Sequence, residues 1–388
     1  MNSTYWDNSS FLIYLMQAFV GMYCLRTVVK NSNFTKRNLS RNFAAVSLLI
    51  IWTFFATFRM VSWGIGGTDA MGYILFFENS WGTYDEGMEH IASDVAYLWI
   101  NKIIRLCTPN YHVLFAIVYG FITYSIIRFV KQFCSRYWNF IPLILAFYLF
   151  LRGYNTLRSN LAIAFILLGI INVTQKKYKW AYLYMICSAL THKAGIPFAL
   201  SIPFLHFAMV RGLKTKYLVL ASGLMFMIAT YVREYFIAFA SVNDLGGSYE
   251  SYAMNATGSL MSSIVECFMQ YLLAIIVVLS TRKIKRVAIK YGKDTLIMVN
   301  ALLYVCYFDM MLIPINAALG IWRGYEFLYI PRLCMWSLVI FVYTRNYDRT
   351  LKCIMNSFIL LYFIAWFTFR LYRTYEASDL MPYILNVF

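Results

Sequence analysis

The sequence predicts an all-α polytopic membrane protein, and three observations carry that prediction. Hydrophobic residues fill 61% of the 388 positions while only 13% are charged, and soluble domains carry about twice that charged fraction. The mean hydropathy is +0.61, which leaves too few polar groups to cover a water-facing surface. Apolar runs recur along the whole chain with only short polar stretches between them. None of these stretches reaches the size of an ordinary soluble domain, so a single polytopic transmembrane domain over residues 1–388 is expected.

A spanning helix needs about 20 apolar residues. Candidates run near Phe11–Val29, Ala44–Phe58, His112–Val130, Phe140–Leu151, Asn160–Val173, Trp180–Leu190, Gly195–Val210, Tyr217–Phe236, Ile264–Ser280, Leu296–Pro314, Phe327–Tyr343 and Ile354–Phe369. That predicts about twelve crossings. The first run follows "MNSTYWDNSSF", which lacks the basic front of a cleaved signal peptide, so a retained helix is expected. The two runs between Lys179 and Arg211 are short, leaving a re-entrant hairpin as an alternative there. No internal repeat is evident, which disfavours the inverted-repeat transporters.

Lys and Arg total 34 against 17 Asp and Glu, a formal charge of +17. In a soluble protein this excess would suggest nucleic acid. Here the basic residues cluster between apolar runs, the positive-inside pattern, and no nucleic-acid partner is expected. "KNSNFTKRNLSR", "RFVKQFCSR", "QKKYK", "RGLKTK", "TRKIKRVAIKYGK" and "TRNYDRTLK" all fall on one side if the candidate helices alternate. That side is read as cytoplasmic, with both termini outside. The outer side then receives the loop 59–110, the Arg152–Arg158 and Thr191–Lys193 turns, the loop 241–263 and the stretch Ile315–Glu326. Arg59, Arg152, Arg158 and Arg323 violate the charge bias there, so each needs another reason. The eight cysteines include no CxxC pair, so neither a disulfide framework nor a metal cluster is expected.

The first outer loop opens "FRMVSWGIGGTDAMGYILFF". Arg59 closes a helix, Gly64, Gly66 and Gly67 make a turn, and helical spacing would put Asp69 and Tyr73 on one face. No Lys-Ser/Thr follows the glycines, so they do not form a nucleotide loop; a turn leading into an Asp-capped helix is the plainer alternative. Later in that loop, "SDVAYLWINKIIRL" predicts a surface-lying amphipathic helix from Asp94 to Leu106. Asp85, Glu86, Glu89 and His90 crowd before it, but no second His stands at helical spacing, so a solvated loop is expected rather than a metal site.

In "LRGYNTLRSNLA", Arg152 ends one helix and Arg158 begins the next. Snorkelling to lipid headgroups is one use of such arginines. Yet a cation at a helix N-terminus opposes the helix dipole, while planar guanidinium suits bidentate phosphate recognition and a helix N-terminus itself attracts anions. In "SALTHKAGIPFAL", His192 and Lys193 break an apolar run; His192 either pins the hairpin or titrates near neutrality for a function. In "GIWRGYEFLYIPRL", Arg323 is followed by Glu326 and Arg332. Glu266 and Asp309, near the outer ends of their helices, would serve proton coupling in a transporter or pair with the outer arginines. Aromatic residues, 19% of the chain, supply interfacial belts. Asp-x-Asp, Walker and G-x-S-x-G motifs are all missing.

The order R…GxD…Y, then LR-x-x-x-A, then an A-x-x-x-H helix break, then a late arginine resembles the EpsG family, a branch of the Wzy-type polysaccharide polymerases. The matching stretches are "FRMVSWGIGGTDAMGY", "SDVAYLWINKIIRL", "LRSNLAIAFILLGIINVTQKKYKWAYLYMICSALTHKAG" and "WRGYEF", spanning about Arg59 to Glu326. The family's Arg-Gln-Gly run reads Arg158-Ser159-Asn160 here, and its Phe-His-x-Ser-Ala reads Thr191-His192-Lys193-Ala194-Gly195. The resemblance implies a GT-C-like integral membrane glycosyltransferase of the bacterial inner membrane, without cofactor or metal. It would act at the periplasmic or external face on undecaprenyl-pyrophosphate-linked oligosaccharide, with a chain-length regulator and a flippase as partners. Arg59, Arg158, Arg323, Arg152 and Tyr73 are then the expected substrate-binding residues, and His192 or Asp69 the base. A lipid-linked oligosaccharide flippase or other transporter is the alternative, and a non-catalytic scaffold of the glycan machinery the third.

Overall fold

The computed structural model describes residues 6–30, 35–82, 91–225, 227–228, 260–318, 322–375 and 378–386. Among these the chain is helical, its only extended pairings being the isolated bridges Arg59–Leu385 and Ser62–Ile65. Helices α1 (Asn8–Lys30) and α2 (Thr35–Thr57) lead to α3 (Ala70–Glu78), α4 (Val95–Cys107) and α5 (Tyr111–Phe133). A 3-10 turn over Ile141–Leu145 runs into α6 (Ala146–Arg152). There follow α7 (Leu157–Thr174), α8 (Tyr178–Thr191), α9 (Ser201–Arg211), α10 (Leu260–Lys290), α11 (Lys293–Ala318), α12 (Tyr329–Thr344) and α13 (Arg349–Thr374).

Among the described residues, six helical stretches are long and apolar enough to cross a membrane: Asn8–Lys30, Tyr111–Phe133, Leu157–Thr174, Lys193–Arg211, Lys293–Ile313 and Arg349–Thr374. Asn42–Thr57, Ile141–Arg152 and Tyr329–Thr344 are shorter apolar helices. The protein is therefore a polytopic, helical membrane protein. Of the remaining candidate runs, Trp180–Leu190 falls in the 14-residue α8, Ile264–Ser280 in α10, and Tyr217–Phe236 lies partly outside the described residues; of the loop 241–263, residues 241–259 lie outside them and 260–263 open α10.

Burial sorts the helices. Apart from Arg158, Phe165, Asn172 and Thr174, every residue of α7 is buried, and α12 is nearly as enclosed; helices apolar all round belong inside. They sit among α5, α6, α8, α9, α10 and α11. Helix α13 has few buried positions and exposes Phe358, Leu361 and Tyr362, an apolar face that water would not solvate and hydrocarbon would. Local chemistry fixes the ends. The Asn110 side chain accepts the His112 N–H at 2.9 Å to cap α5, Asp348 accepts the Leu351 N–H at 2.7 Å to cap α13, and Gly212 closes α9.

Helix α4 is amphipathic as the sequence predicts. Tyr97, Asn101 and Ile104 are buried, while Val95, Trp99, Ile103 and Leu106 form an exposed stripe. The C-terminal segment straps the same end of the bundle. Met60 N–H donates to Ile384 O at 2.7 Å, Asn386 N–H to Phe58 O at 2.7 Å, and Gly66 and Gly67 N–H to Asp379 O at 2.9 and 3.1 Å. The Tyr14 hydroxyl donates to Leu380 O at 2.5 Å. Gly66 and Gly67 are required here: both have positive φ, and a Cβ on Gly67 would lie 2.4 Å from Tyr154 O.

Candidate functional site

The turn between α6 and α7 sets the geometry. Asn155 and Thr156 N–H return to Arg152 O at 3.1 and 3.0 Å, so the chain reverses and α7 starts at Leu157 with Arg158 in its first turn. The Arg158 Nη1 donates to Asp94 Oδ2 at 2.6 Å. His192 Nδ1 lies 3.2 Å from that same oxygen, and the Lys193 N–H donates to Asp94 Oδ1 at 3.3 Å. His192 ends α8 in extended backbone geometry, and its ring meets Asp94. Three segments remote in sequence thus meet on one carboxylate. Its side chain is 3% exposed, against 11% for Arg158 and 18% for His192: the acid is enclosed and its partners reach the surface.

Asp94 stands at the N-cap position of α4, but its side chain makes no capping bond; the carboxylate turns to Arg158 and His192 instead. Burial pushes its carboxyl up. The His192 hydrogen bond and the Arg158 charge outweigh that and hold it below the usual 3.8. At neutral pH the group is therefore a carboxylate, and its countercharge answers the unfavourable place of Arg158 at a helix N-terminus.

Tyr73 lies against this cluster. Its ring centroid is 6.0 Å from the Arg158 guanidinium carbon, its hydroxyl donates to Asn155 O at 3.4 Å, and Tyr97 packs edge-on at 5.9 Å. Asp69 is half-buried at the start of α3, and its N–H donates to Asn155 Oδ1 at 2.8 Å. Asn155 therefore ties the start of α3 to the turn that carries Arg158. Asp69 makes no side-chain capping bond, contrary to the expected Asp cap.

The other expected residues lie elsewhere. Arg59 is 1% exposed. Its Nε donates to Gly66 O at 2.8 Å, its Nη1 to Ala56 O, and its Nη2 to the Tyr119 hydroxyl at 3.0 Å and Tyr154 O at 3.4 Å. Tyr154, Phe115 and Tyr119 rings surround it at 4.3, 5.0 and 5.2 Å. Arg152 is fully buried, donating to Glu326 Oε1 at 2.9 Å and Ser378 Oγ at 2.6 Å. Arg332 pairs with Asp309 at 3.0 Å, so the deep acids Asp309 and Glu326 act as partners of arginines. These pairs border a cavity of about 30 Å³ lined by Gln270, Glu326, Arg332 and Arg370. The Arg323 and Glu266 side chains lie outside the described residues, as do Asp85, Glu86, Glu89 and His90.

Of the expected site residues, the fold brings Arg158, His192 and Tyr73 together, holds Asp69 nearby through its backbone, and gives Arg59 and Arg152 other partners, Arg59 reaching the same turn at Tyr154 O, beside the Asn155 that Tyr73 and Asp69 bond. The gathering group, Asp94, was legible only as the start of an amphipathic helix. Its signal was an acid opening a helix whose side chain has no apolar role. A family model described as the EpsG family matches residues 42–385, nearly the whole chain. The protein belongs to the EpsG family. This is a Wzy-type polymerase-like family, and the match reaches past Glu326 into the terminal helices and the C-terminal strap. Neither the curated proteins nor the solved structures contain a match to the chain.

Proposed function

We propose that this EpsG-family protein is a metal-independent membrane glycosyltransferase that polymerises undecaprenyl-pyrophosphate-linked oligosaccharide repeat units into a surface polysaccharide. The observation that carries the reading is the meeting of Arg158 and His192 on Asp94 at one partly exposed end of a helical membrane bundle. The architecture is read as GT-C-like, with about twelve crossings and this end facing the outside of the inner membrane.

In the proposed step, the hydroxyl oxygen of the acceptor unit bonds to the anomeric carbon of the donor glycan. The bond from that carbon to the pyrophosphate oxygen breaks, and its electron pair leaves with the pyrophosphate. Arg158 stabilises the departing charge through its planar donors. The hydroxyl proton passes to His192, the favoured base, with Asp69 the competitor; the imidazolium then gives it to water. Tyr73 flanks the phosphate site.

The test is polymerisation by the purified protein in nanodiscs supplied with lipid-linked repeat units. Arg158→Ala and Arg158→Lys should both lose polymer, since an ammonium cannot replace a planar bidentate donor. His192→Ala should lose turnover and still bind substrate. Full activity of Arg158→Lys would reduce that residue to a headgroup anchor, and an active His192→Ala beside a dead Asp69→Asn would move the base to Asp69. Movement of lipid-linked units across vesicles without chain growth would favour the flippase reading.

A further inference from the structure

We propose that Asp94 is the positioning residue of this site: it holds His192 in the tautomer protonated on Nδ1, and so presents Nε2 to the acceptor hydroxyl. The proposal rests on the reading of His192 as the base.

The chemistry of the contact fixes the proton. An ionised carboxylate only accepts hydrogen bonds, so the 3.2 Å contact from His192 Nδ1 to Asp94 Oδ2 requires the hydrogen on Nδ1. In the neutral ring the lone pair then belongs to Nε2, the form a base needs. The second carboxylate oxygen takes the Lys193 N–H, the peptide N–H next along the chain from His192. Ring and backbone are thereby referenced to one buried group, which fixes the direction in which Nε2 points.

A simple counterion for Arg158 would need neither contact. Arg158 itself makes the arrangement tenable, because a carboxylate only 3% exposed is costly without a cation. Once Nε2 takes the proton, the same carboxylate faces the imidazolium and offsets its charge, as the acid of a Ser-His-Asp triad does. Among the described residues, the charged and titratable groups placed against His192 are Asp94 before α4, Arg158 on α7 and Lys193 beside it, with Tyr73 of α3 beyond Arg158. Asp94 is the acid of this group, and its charge favours the protonated ring.

Two measurements test this. Long-range 1H–15N correlation on histidine-labelled protein in nanodiscs, with His192→Gln to assign the signal, should show Nδ1 protonated at neutral pH and that preference lost in Asp94→Asn. An Nε2-protonated ring in the wild type overturns the proposal without reference to activity. In the polymerisation assay, Asp94→Asn should lower kcat about 100-fold or more, leave KM near its original value, and move the acid limb of the pH–rate profile to lower pH. Asp94→Glu should recover part of kcat. Unchanged kcat and profile in Asp94→Asn, with His192→Gln inactive, overturns the role of Asp94 and spares the base; an active His192→Gln overturns both.

Discussion

Arg59 and Arg158 look alike in the sequence, each a lone arginine at the end of an apolar run, yet the fold treats them in opposite ways. Arg59 spends its donors on three backbone carbonyls and one phenol, inside a cage of aromatic rings. It joins α2, the glycine turn, α5 and the turn after α6. Arg158 rests on an ionised acid at the edge of the bundle, beside a titratable ring. A guanidinium whose partners are main-chain carbonyls is tied to the architecture, because no ligand can replace them without unfolding the turns. One whose partner is a side-chain carboxylate, and which itself reaches the surface, can meet a second anion there while it keeps that partner.

The largest expected effect separates these two arginines. Arg59→Ala removes the side-chain donor from Gly66 O and Tyr154 O in a buried site, at about 1–3 kcal/mol for each group left without a partner, while the Tyr119 hydroxyl keeps Gly153 O. Thermal unfolding in detergent should show a severe loss, and Arg59→Lys should recover little because one ammonium cannot reach all the acceptors. Arg158→Ala leaves Asp94 the His192 ring and the Lys193 N–H as partners, so it should change the unfolding temperature less while abolishing polymer. Equal thermal losses in both variants would erase the distinction drawn here.

The Arg152–Glu326 pair stands between the two cases, an ion pair like Arg158–Asp94 but as enclosed as Arg59. Removing one member leaves the other charged and buried, which costs about 3–5 kcal/mol. Arg152→Met alone and Glu326→Leu alone should each destabilise strongly. The double variant should recover much of the loss, since replacing both charges by apolar groups of similar volume is often neutral. A double variant as unstable as the sum of the singles would mean that Ser378 and the C-terminal strap, rather than the pair, carry the energy.

The helices were legible because apolar runs and membrane thickness leave few alternatives. The run Phe11–Val29 falls inside α1 (Asn8–Lys30) and His112–Val130 inside α5 (Tyr111–Phe133). The amphipathic α4 was readable from its period, with Trp99 and Ile103 four residues apart on the exposed face. The number of crossings was less legible, since stretches such as Ala44–Phe58 and Trp180–Leu190 are short for a membrane and nothing local decides between spanning and re-entry. The site was half legible. Arg158 and His192 announced themselves as polar breaks in apolar sequence, but Asp94 meets them across 64 and 98 residues of chain. No local spacing encodes that meeting. The difference between Arg59 and Arg158 was hidden for the same reason, because it lies in partners contributed by distant helices and by the last residues of the chain.

The smallest predicted effect concerns acid. Within the Asp94 cluster the folded carboxyl titrates below 3.8, because the His192 hydrogen bond and the Arg158 charge overcome the opposing effect of burial. A carboxyl depressed on folding contributes stability that is fully present above its unfolded pKa and is lost as pH falls through its folded value. The carboxyl's own protonation should therefore change nothing between about pH 8 and 5, and its contribution should fade only below about pH 3.8. Asp7 is shifted the same way, chiefly by the Ser10 hydroxyl, so a raw acid-unfolding curve mixes the two. The informative quantity is the wild-type curve minus that of Asp94→Asn, measured by thermal unfolding from pH 7 to 3. The difference should rise as the His192 ring gains its proton beside the carboxylate, then shrink at the acid edge, as protonation makes the wild-type group as neutral as the amide. A difference that keeps growing below about pH 3.8 would give the shift the opposite sign and remove the carboxylate from the centre of the site.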